Sequence, residues 1–499
     1  MSSASVSFPH PIYLEHVLRP AYRSASEHLF GPMLAANQAH VVMLSRQGII
    51  TQANAQALLI AIGQVEKAGL ESLAYRPGIE DLFFHVEGRL IEICGPEYGG
   101  NLQLARSRND LGHALTRMAL RPVLLALYRR LLDLRATVLD LAGRHVHTVM
   151  PGYTHTQPAQ PTTFAHYLTG VLSFLQRDTK RLRHAYVTEN QSPLGAAAFT
   201  GTGFPIDREL SASLLGFAGV MASSQDSIGA SDHLTDIAAA LTSLAVNLSR
   251  VTFDLLFRAT RESGAIRIDD SFIQISSIMP QKRNPVVLEH LRARLSRLLG
   301  LAQTVASQCH NIPYGDTQDI EDEIEPTLFT AVATADNILH LYEAVFSTLQ
   351  LNVDHLRAEA AAGFTTATEL ADTLVREAKL PFRTAHEVVS RLVQKAIADD
   401  LDPADITPEL LAEVSQEILS EPLYLDAELL ARALDPVAFV EARTVLGGAA
   451  ASATTAVLQT QSERLSEDQT WLHNEEGRLA AASTLLQQQV DLILQEMTV

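Results

Sequence analysis

Cysteine is scarce. Cys94 and Cys309 lie far apart and form no CxxC pair. That excludes a disulfide framework or a thiolate zinc cluster, and a reducing cytoplasm is the expected setting. Basic charge is also short: 38 Lys and Arg against 57 Asp and Glu give a net charge of −19. A nucleic-acid grip or an anionic membrane surface needs basic patches, so neither partner is expected. A few local cations can still hold a small anionic substrate. No uninterrupted apolar run approaches the ~18 residues of a membrane span. The opening MSSASVSFPHPIYLEH lacks the basic-then-apolar order of a signal peptide. Strand signals are few as well, which leaves helix as the expected state. There is no Walker A motif and no HExxH, and TGTGFP at 200–205 lacks the spacing of a dinucleotide site. The acidic run DTQDIEDEIE at 316–325 lacks the glycine and spacing of a calcium loop, so no metal site is expected.

What is present is helix-forming sequence in long stretches. The chain has 499 residues, 47% apolar and 19% charged, which suits a globular protein with a large core. Long helices are expected near 110–148, 161–189, 231–262 and 285–311. From Glu325 to Gln350, Leu328, Val332, Ala335, Leu339, Tyr342, Phe346 and Leu349 recur in steps of four and three. That is the seam of a helix bundle. Rods this long carry more apolar faces than one subunit covers, so a shared bundle between subunits is expected. The turn-rich GPEYGG at 95–100 and the change at AAGFTTATELAD divide the chain into 1–105, 106–361 and 362–499. In AAGFTTATELAD, Thr365 or Thr366 is the expected helix cap, with Glu369 as its capping partner. The Ala-, Gln-, Ser- and Glu-rich tail from 451 reads as one or more added helices.

Three segments concentrate polar residues in poor helix context. In ARSRNDLGHAL, Ser107, Arg108 and Asn109 sit where a helix begins, a place that suits an anion; a simple cap with a surface arginine uses the same letters. In MPGYTHTQPAQPTTFAHYL, two proline-bounded turns hold Thr154 and His155 before a helix near Pro161. His155 reads as structural or catalytic equally, and His166 as a packed or surface residue. In SSIMPQKRNP, Asn284 and Pro285 read as N-cap and first helical residue. Ser276 to Arg283 is then a loop feeding a helix, or a tight connector with a solvated Lys-Arg pair.

Taken together, EDLFFHVEGRL, ARSRND, PGYTHTQPAQPTTFAHYL, SPLGAAAFTGTGFPIDR, QDSIGASDH, SSIMPQKRNP and GFTTATELADTLV resemble the argininosuccinate lyase branch of the fumarase/aspartase superfamily. The resemblance implies an all-α, three-domain fold with a central long-helix bundle. It also implies a homotetramer with a 20-helix core, and active sites built from segments of three subunits. The implied reaction is anti-elimination of an amine from an N-substituted aspartate to give fumarate, without a cofactor. By position, Ser276 matches the general base, His155 the group acting at the leaving nitrogen, and Glu289 the carboxylate that pairs with this histidine. Ser277, Met279, Lys282 and Asn284 in the loop, with Thr154, match the donors around the reacting carboxylate. Ser107, Arg108 and Asn109 match the holders of the other carboxylate.

The departures fall elsewhere. Gln103-Leu104-Ala105 stands for the family's His-Thr-Gly, Asn37 for a serine, and Gly229 to Asp232 for Ser-Asp-Arg-Asp. In the acidic run Asp316 stands for Tyr, Glu321 for Gln and Ile324 for Lys. Many of these positions belong to the part of the site that holds the amine. Loss of Arg and Lys with gain of Asp and Glu points away from arginine and toward a cationic amine such as a diamine, as in ethylenediamine-disuccinate lyase. Argininosuccinate is the alternative substrate. An inactive crystallin-like structural protein is the alternative of a different class.

Overall fold

In the computed structural model, residues 8–76 and 78–495 are described. After a helical stretch over residues 11–28 come three longer helices: α1 (Phe30–Arg46), α2 (Gln52–Ala68) and α3 (Leu82–Cys94). Thr51 and Asp81 cap α2 and α3 through their side chains, satisfying free N–H groups at each start. Five long helices follow: α4 (Arg108–Arg144), α5 (Phe164–Glu189), α6 (Asp232–Arg258), α7 (Val286–Cys309) and α8 (Glu325–Thr348). These match the expected stretches, and all seven seam residues of α8 are buried in the bundle. A short hairpin, β1 (Val149–Thr154) with β2 (Gln157–Thr163), joins α4 to α5.

The bundle runs up and down, so it has two distinct ends. At the first, Arg117 of α4 donates to the Thr188 carbonyl at the end of α5 at 2.9 Å. His233, at the start of α6, meets Glu189 at 2.7 Å, and Thr116 bonds Glu325 at the start of α8. At the second end, Arg258 closes α6 beside Met150 of the hairpin, and Ile266 pairs with Leu351 beyond α8. Helices α5 to α8 have 24–27 residues, which at 1.5 Å per residue separates the ends by about 36–40 Å.

A separate core joins Leu370 and Leu374 of α9 (Ala367–Glu377) to Val388 and Leu392 of α10 (Phe382–Ala398). Leu411 of α11 (Pro408–Leu419) and Leu430 of α12 (Ala427–Leu434) complete it. The capping pair foreseen at its start does not form. Thr366 occupies the cap position in a helical conformation with no side-chain bond, and Glu369 is drawn away to Arg376 and Arg443. Pro436–Glu441 forms a short α13. The tail from 451 is a single 45-residue helix, α14 (Ala451–Gln495). Leu458, Leu465, Leu472, Leu479, Leu486 and Ile493 recur every seven residues along it. The first four join the bundle core, while Leu486 and Ile493 join the core of α1 to α3. Buried Asp468 fixes the register by pairing with Arg135 at 2.6 Å.

Helix α6 is long and apolar enough to cross a membrane, with a mean hydropathy of 1.2. Here Leu234, Leu241 and Leu248 fill the bundle core. Its other face leaves Val246, Phe253 and Phe257 exposed.

Candidate active site

Ser107 caps α4 as expected: its Oγ accepts from the Asn109 N–H at 3.3 Å, and Asp110 Oδ1 accepts the Ser107 N–H at 2.9 Å. The other Asp110 oxygen takes the N–H groups of Gly195 and Ala197 at 2.8 and 3.1 Å. This end of α4 is therefore pinned to a loop that the sequence leaves shapeless. Arg108 is held by Asp81 at 2.7 Å and lies over the Phe84 ring. Asn37 is buried with an unpartnered Oδ1, as is Gln103 Nε2. Gln103 Oε1 accepts from Arg106 Nε at 3.2 Å. Arg106 itself was not singled out from the sequence. It is buried with both terminal nitrogens unpartnered, and burial pulls its pKa down to about 10.

The second segment departs from the expected pair of turns. It is a hairpin in which Thr154 pairs with Gln157, leaving His155 and Thr156 as a two-residue tip. Both tip residues have positive φ, 50° and 62°, the backbone of a type I′ turn. Neither is glycine, so each costs on the order of 1 kcal/mol. The strain holds His155 out on a stalk, exposed along with Thr154. Helix α5 then begins at Phe164, capped by Thr163 rather than near Pro161. His166 is a packed residue, bonded to Thr162 and to the Gly447 carbonyl.

The third segment is a loop clasped at its base, where Gln274 pairs with Asn284 and Ile275 with Arg283. This ladder keeps Asn284 extended, so Asn284 is not the helix cap. Pro285 takes that position and the helix starts at Val286. Ser276 Oγ accepts from the Met279 N–H at 3.1 Å, folding the two serines into a tight turn. Ser277, Met279 and Lys282 are exposed, and Ile278 is 82% exposed. Ile275, at the base of the loop, is exposed to the same degree, 81%. Glu289 projects from the second turn of α7, also exposed.

One chain does not bring the three segments together. The hairpin tip and the serine loop belong to the second end of the bundle, whereas Ser107, Arg108 and Asn109 belong to the first. Among the described residues no hydrogen bond or ion pair joins any two of these segments.

The altered acidic run does gather beside one of them. Asp316, Glu321, Asp322 and Glu325 line a pocket with Glu80, Asp81, Arg108 and Asn109. Asp322, Glu325 and the two acids near α3 add to the positions flagged in the sequence; their contribution needs the fold, because α3 and the 316–325 run are distant in the chain. Glu321 reaches over Gly112, where a Cβ would stand only 1.7 Å from its carboxylate oxygen. Burial and then Asp316 and Asp322 push Glu321 up to about 8. Burial and then Glu323 push Asp322 up to about 6. Glu325 is raised well above the usual carboxylate range, by burial first and Glu321 second. Asp316 lies 3.7 Å from His113, which burial, His233 and Arg117 pull down to about 3. Ile324, the position read as a lost lysine, is fully buried and gives the pocket no charge.

Two family models match the chain. One described as Lyase covers residues 29–300, and one described as Argininosuccinate lyase C-terminal covers 364–441. Argininosuccinate lyase from Methanoculleus marisnigri is 39% identical over 469 residues, 94% of each chain. A variant of EDDS lyase with bound fumarate superposes with a TM-score of 0.86 at 31% identity, covering 97% of this chain and 96% of that one. A class II fumarase from Schistosoma mansoni shares the fold, with a TM-score of 0.66 at 15% identity over 86% of this chain and 92% of that one.

Proposed function

Because the chain belongs to the argininosuccinate lyase branch of the fumarase/aspartase superfamily, we propose that it is a carbon–nitrogen lyase releasing fumarate from an N-substituted aspartate. Ser276, ionised when its loop closes beside Lys282, takes the Cβ proton. The electrons of that C–H bond form the double bond, the C–N bond breaks, and the amine leaves with a proton from His155. Glu289 orients His155. The charge that builds on the neighbouring carboxylate calls for several fixed donors: Ser277, Lys282, Asn284 and Thr154, with Met279 in the same loop. Ser107, Arg108 and Asn109 hold the second carboxylate.

Separation of these segments along the bundle supports a homotetramer whose bundles pack side by side and antiparallel. Antiparallel neighbours set their second ends beside the first end of this chain, where the serine loop of one and the hairpin tip of another reach Arg108. The exposed face of α6 and the exposed Ile278 suit the same assembly, with a 20-helix core.

The observation that carries the choice of amine is the acidic pocket beside Arg108 and Asn109. A site with this excess of carboxyl groups suits an amine bearing more than one positive charge, such as a diamine held as in ethylenediamine-disuccinate. Argininosuccinate is the second reading, favoured by identity with its lyases along nearly the whole chain. Incubation with fumarate and a panel of arginine, ethylenediamine and ammonia, read by mass, tests the choice. Formation of an N-substituted aspartate from ethylenediamine supports the first reading and argininosuccinate alone supports the second. No product with any of these amines overturns both readings.

A further inference from the structure

The pocket beside Arg108 and Asn109 continues inward as a slot of about 120 Å³ along α4. Asn109 and Leu115 both line it, and six residues of helix at 1.5 Å each set them about 9 Å apart. The two walls differ in chemistry. One carries Glu321, Asp322 and Glu325. The other is apolar: Leu18 and Tyr22 of the helical stretch over residues 11–28, Leu115 of α4 and Phe329 of α8, all buried. Tyr22 turns its hydroxyl away to the Leu73 carbonyl, leaving its ring on this wall. Ala21 and Ala25 also line the slot, and their small side chains leave it open.

The acidic wall has no counter-charge of its own. Arg108, at the mouth, is already paired with Asp81. Among the described residues Glu321, Asp322 and Glu325 form no ion pair; that of the run joins Asp316 to His113. Glu325 is 3% exposed and takes its hydrogen bond from the Thr116 hydroxyl, which brings no charge. Among the described residues no three carboxylate or imidazole groups converge as metal ligands do. The wall therefore fits an organic cation lying along it better than a single ion. Water against the apolar wall finds no hydrogen-bond partner there, whereas a hydrocarbon chain covers it.

We propose that the amine is an alkanediamine with a long spacer, its far ammonium on Glu321 and Glu325 and its methylenes on Leu18, Tyr22, Leu115 and Phe329. This rests on the lyase reading and names the amine for it. In the synthetic direction the near nitrogen, neutral, forms the C–N bond to fumarate; that nitrogen loses a proton and the other alkene carbon gains one. Ethylenediamine spans less than half of the slot and leaves the apolar wall wet. Each methylene moved from water onto such a wall strengthens binding by about fourfold when fully covered, and 1,6-diaminohexane brings four more than ethylenediamine.

The test is a set of three amines, 1,6-diaminohexane, ethylenediamine and hexylamine, each incubated with fumarate and the full chain. Products are identified by mass, KM is measured for each amine, and calorimetry gives the binding of 1,6-diaminohexane alone. Its KM should lie at least tenfold below those of ethylenediamine, which lacks the spacer, and hexylamine, which lacks the far ammonium. Ala25→Leu, which fills the slot, should narrow the preference over ethylenediamine at least threefold, and Ala21→Leu should do the same if the first variant folds poorly. Turnover of ethylenediamine or hexylamine at a KM equal to or below that of 1,6-diaminohexane overturns the proposal and leaves the lyase reading standing. Calorimetric binding of 1,6-diaminohexane without product from any amine supports the slot and removes the lyase reading. Neither binding nor product overturns both.

Discussion

The Glu189 carboxylate accepts a 2.7 Å hydrogen bond from His233 Nδ1, and neither side chain is exposed. Burial alone would raise Glu189, but His233, Arg117 and Arg121 hold it below the usual range. The pair ties the end of α5 to the start of α6 at the end of the bundle that carries Arg108. Removing Glu189 strips the buried Arg117 of its nearest counter-charge and leaves His233 without its partner, so Glu189→Ala should cost about 3 kcal/mol or more of unfolding free energy. Urea unfolding at fixed protein concentration measures it. A change under about 1 kcal/mol would show the pair to be dispensable.

Acid should weaken the fold through His113 and His233. Burial, the largest cause for both, lowers their pKa values, His113 to about 3. Each is neutral when folded and takes up a proton on unfolding once pH drops below the unfolded value of about 6.5. Stability is therefore lost on acidification from about 6.5 toward 3, and His113 alone contributes about 2 kcal/mol of loss between pH 7 and 5. His113→Gln should lose less over that interval than wild type, by thermal unfolding at the two pH values.

Glu321 titrates with the opposite sign. Its folded pKa is raised to about 8, so its favourable term is complete below the unfolded value of about 4.5 and fades as pH rises through 8. The same rise ionises the carboxyl and should strengthen its hold on a cationic amine. The KM for a diamine in the synthetic direction should fall between pH 7 and 9. Glu321→Gln should raise that KM about tenfold and remove its pH dependence, leaving the KM for fumarate nearly unchanged. Gly112→Ala, which displaces the Glu321 carboxylate, should imitate it.

Ser276→Ala and His155→Asn should each lower kcat by at least about 100-fold. Both residues lie near or at the surface of the single chain, so melting points should barely move. Fumarate release followed in the ultraviolet gives the rates. Full activity in either variant would remove that residue from the chemistry.

Mixing two inactive variants should restore activity. His155→Asn and Arg108→Ala damage opposite ends of the bundle. After joint refolding at equal amounts, about a quarter of sites draw both segments from intact subunits, if sites form between copies in a symmetric assembly. Activity at about that fraction of wild type is expected. None at all would mean that both residues serve a site from the same subunit.

The long helices were legible because their apolar steps of three and four are local and repeated; α8 buries every seam residue named from its sequence. The hairpin was not. Pro151 faces Pro161 in its register, and Pro158 faces Tyr153. Prolines read as turn punctuation, yet on a two-stranded ribbon an absent N–H costs nothing where no partner strand needs it. Asn284 failed as a cap for a related reason, since the ladder to Gln274 outweighed a local preference. Likewise Glu369 left its capping role for two arginines, one of them 74 residues away. The site residues were read from motif order. Their placement at two ends of one bundle depends on how the helices return on each other, and no local pattern encodes that.

Helix α14 gives the chain an unusual timetable. Leu486 and Ile493 complete the core of α1 to α3, which emerge from the ribosome well before them. At about 5–20 residues per second, that early core waits tens of seconds for its last side chains. These early helices are thus among the last to be sealed, and a nascent chain stalled before residue 486 would present their apolar faces to chaperones.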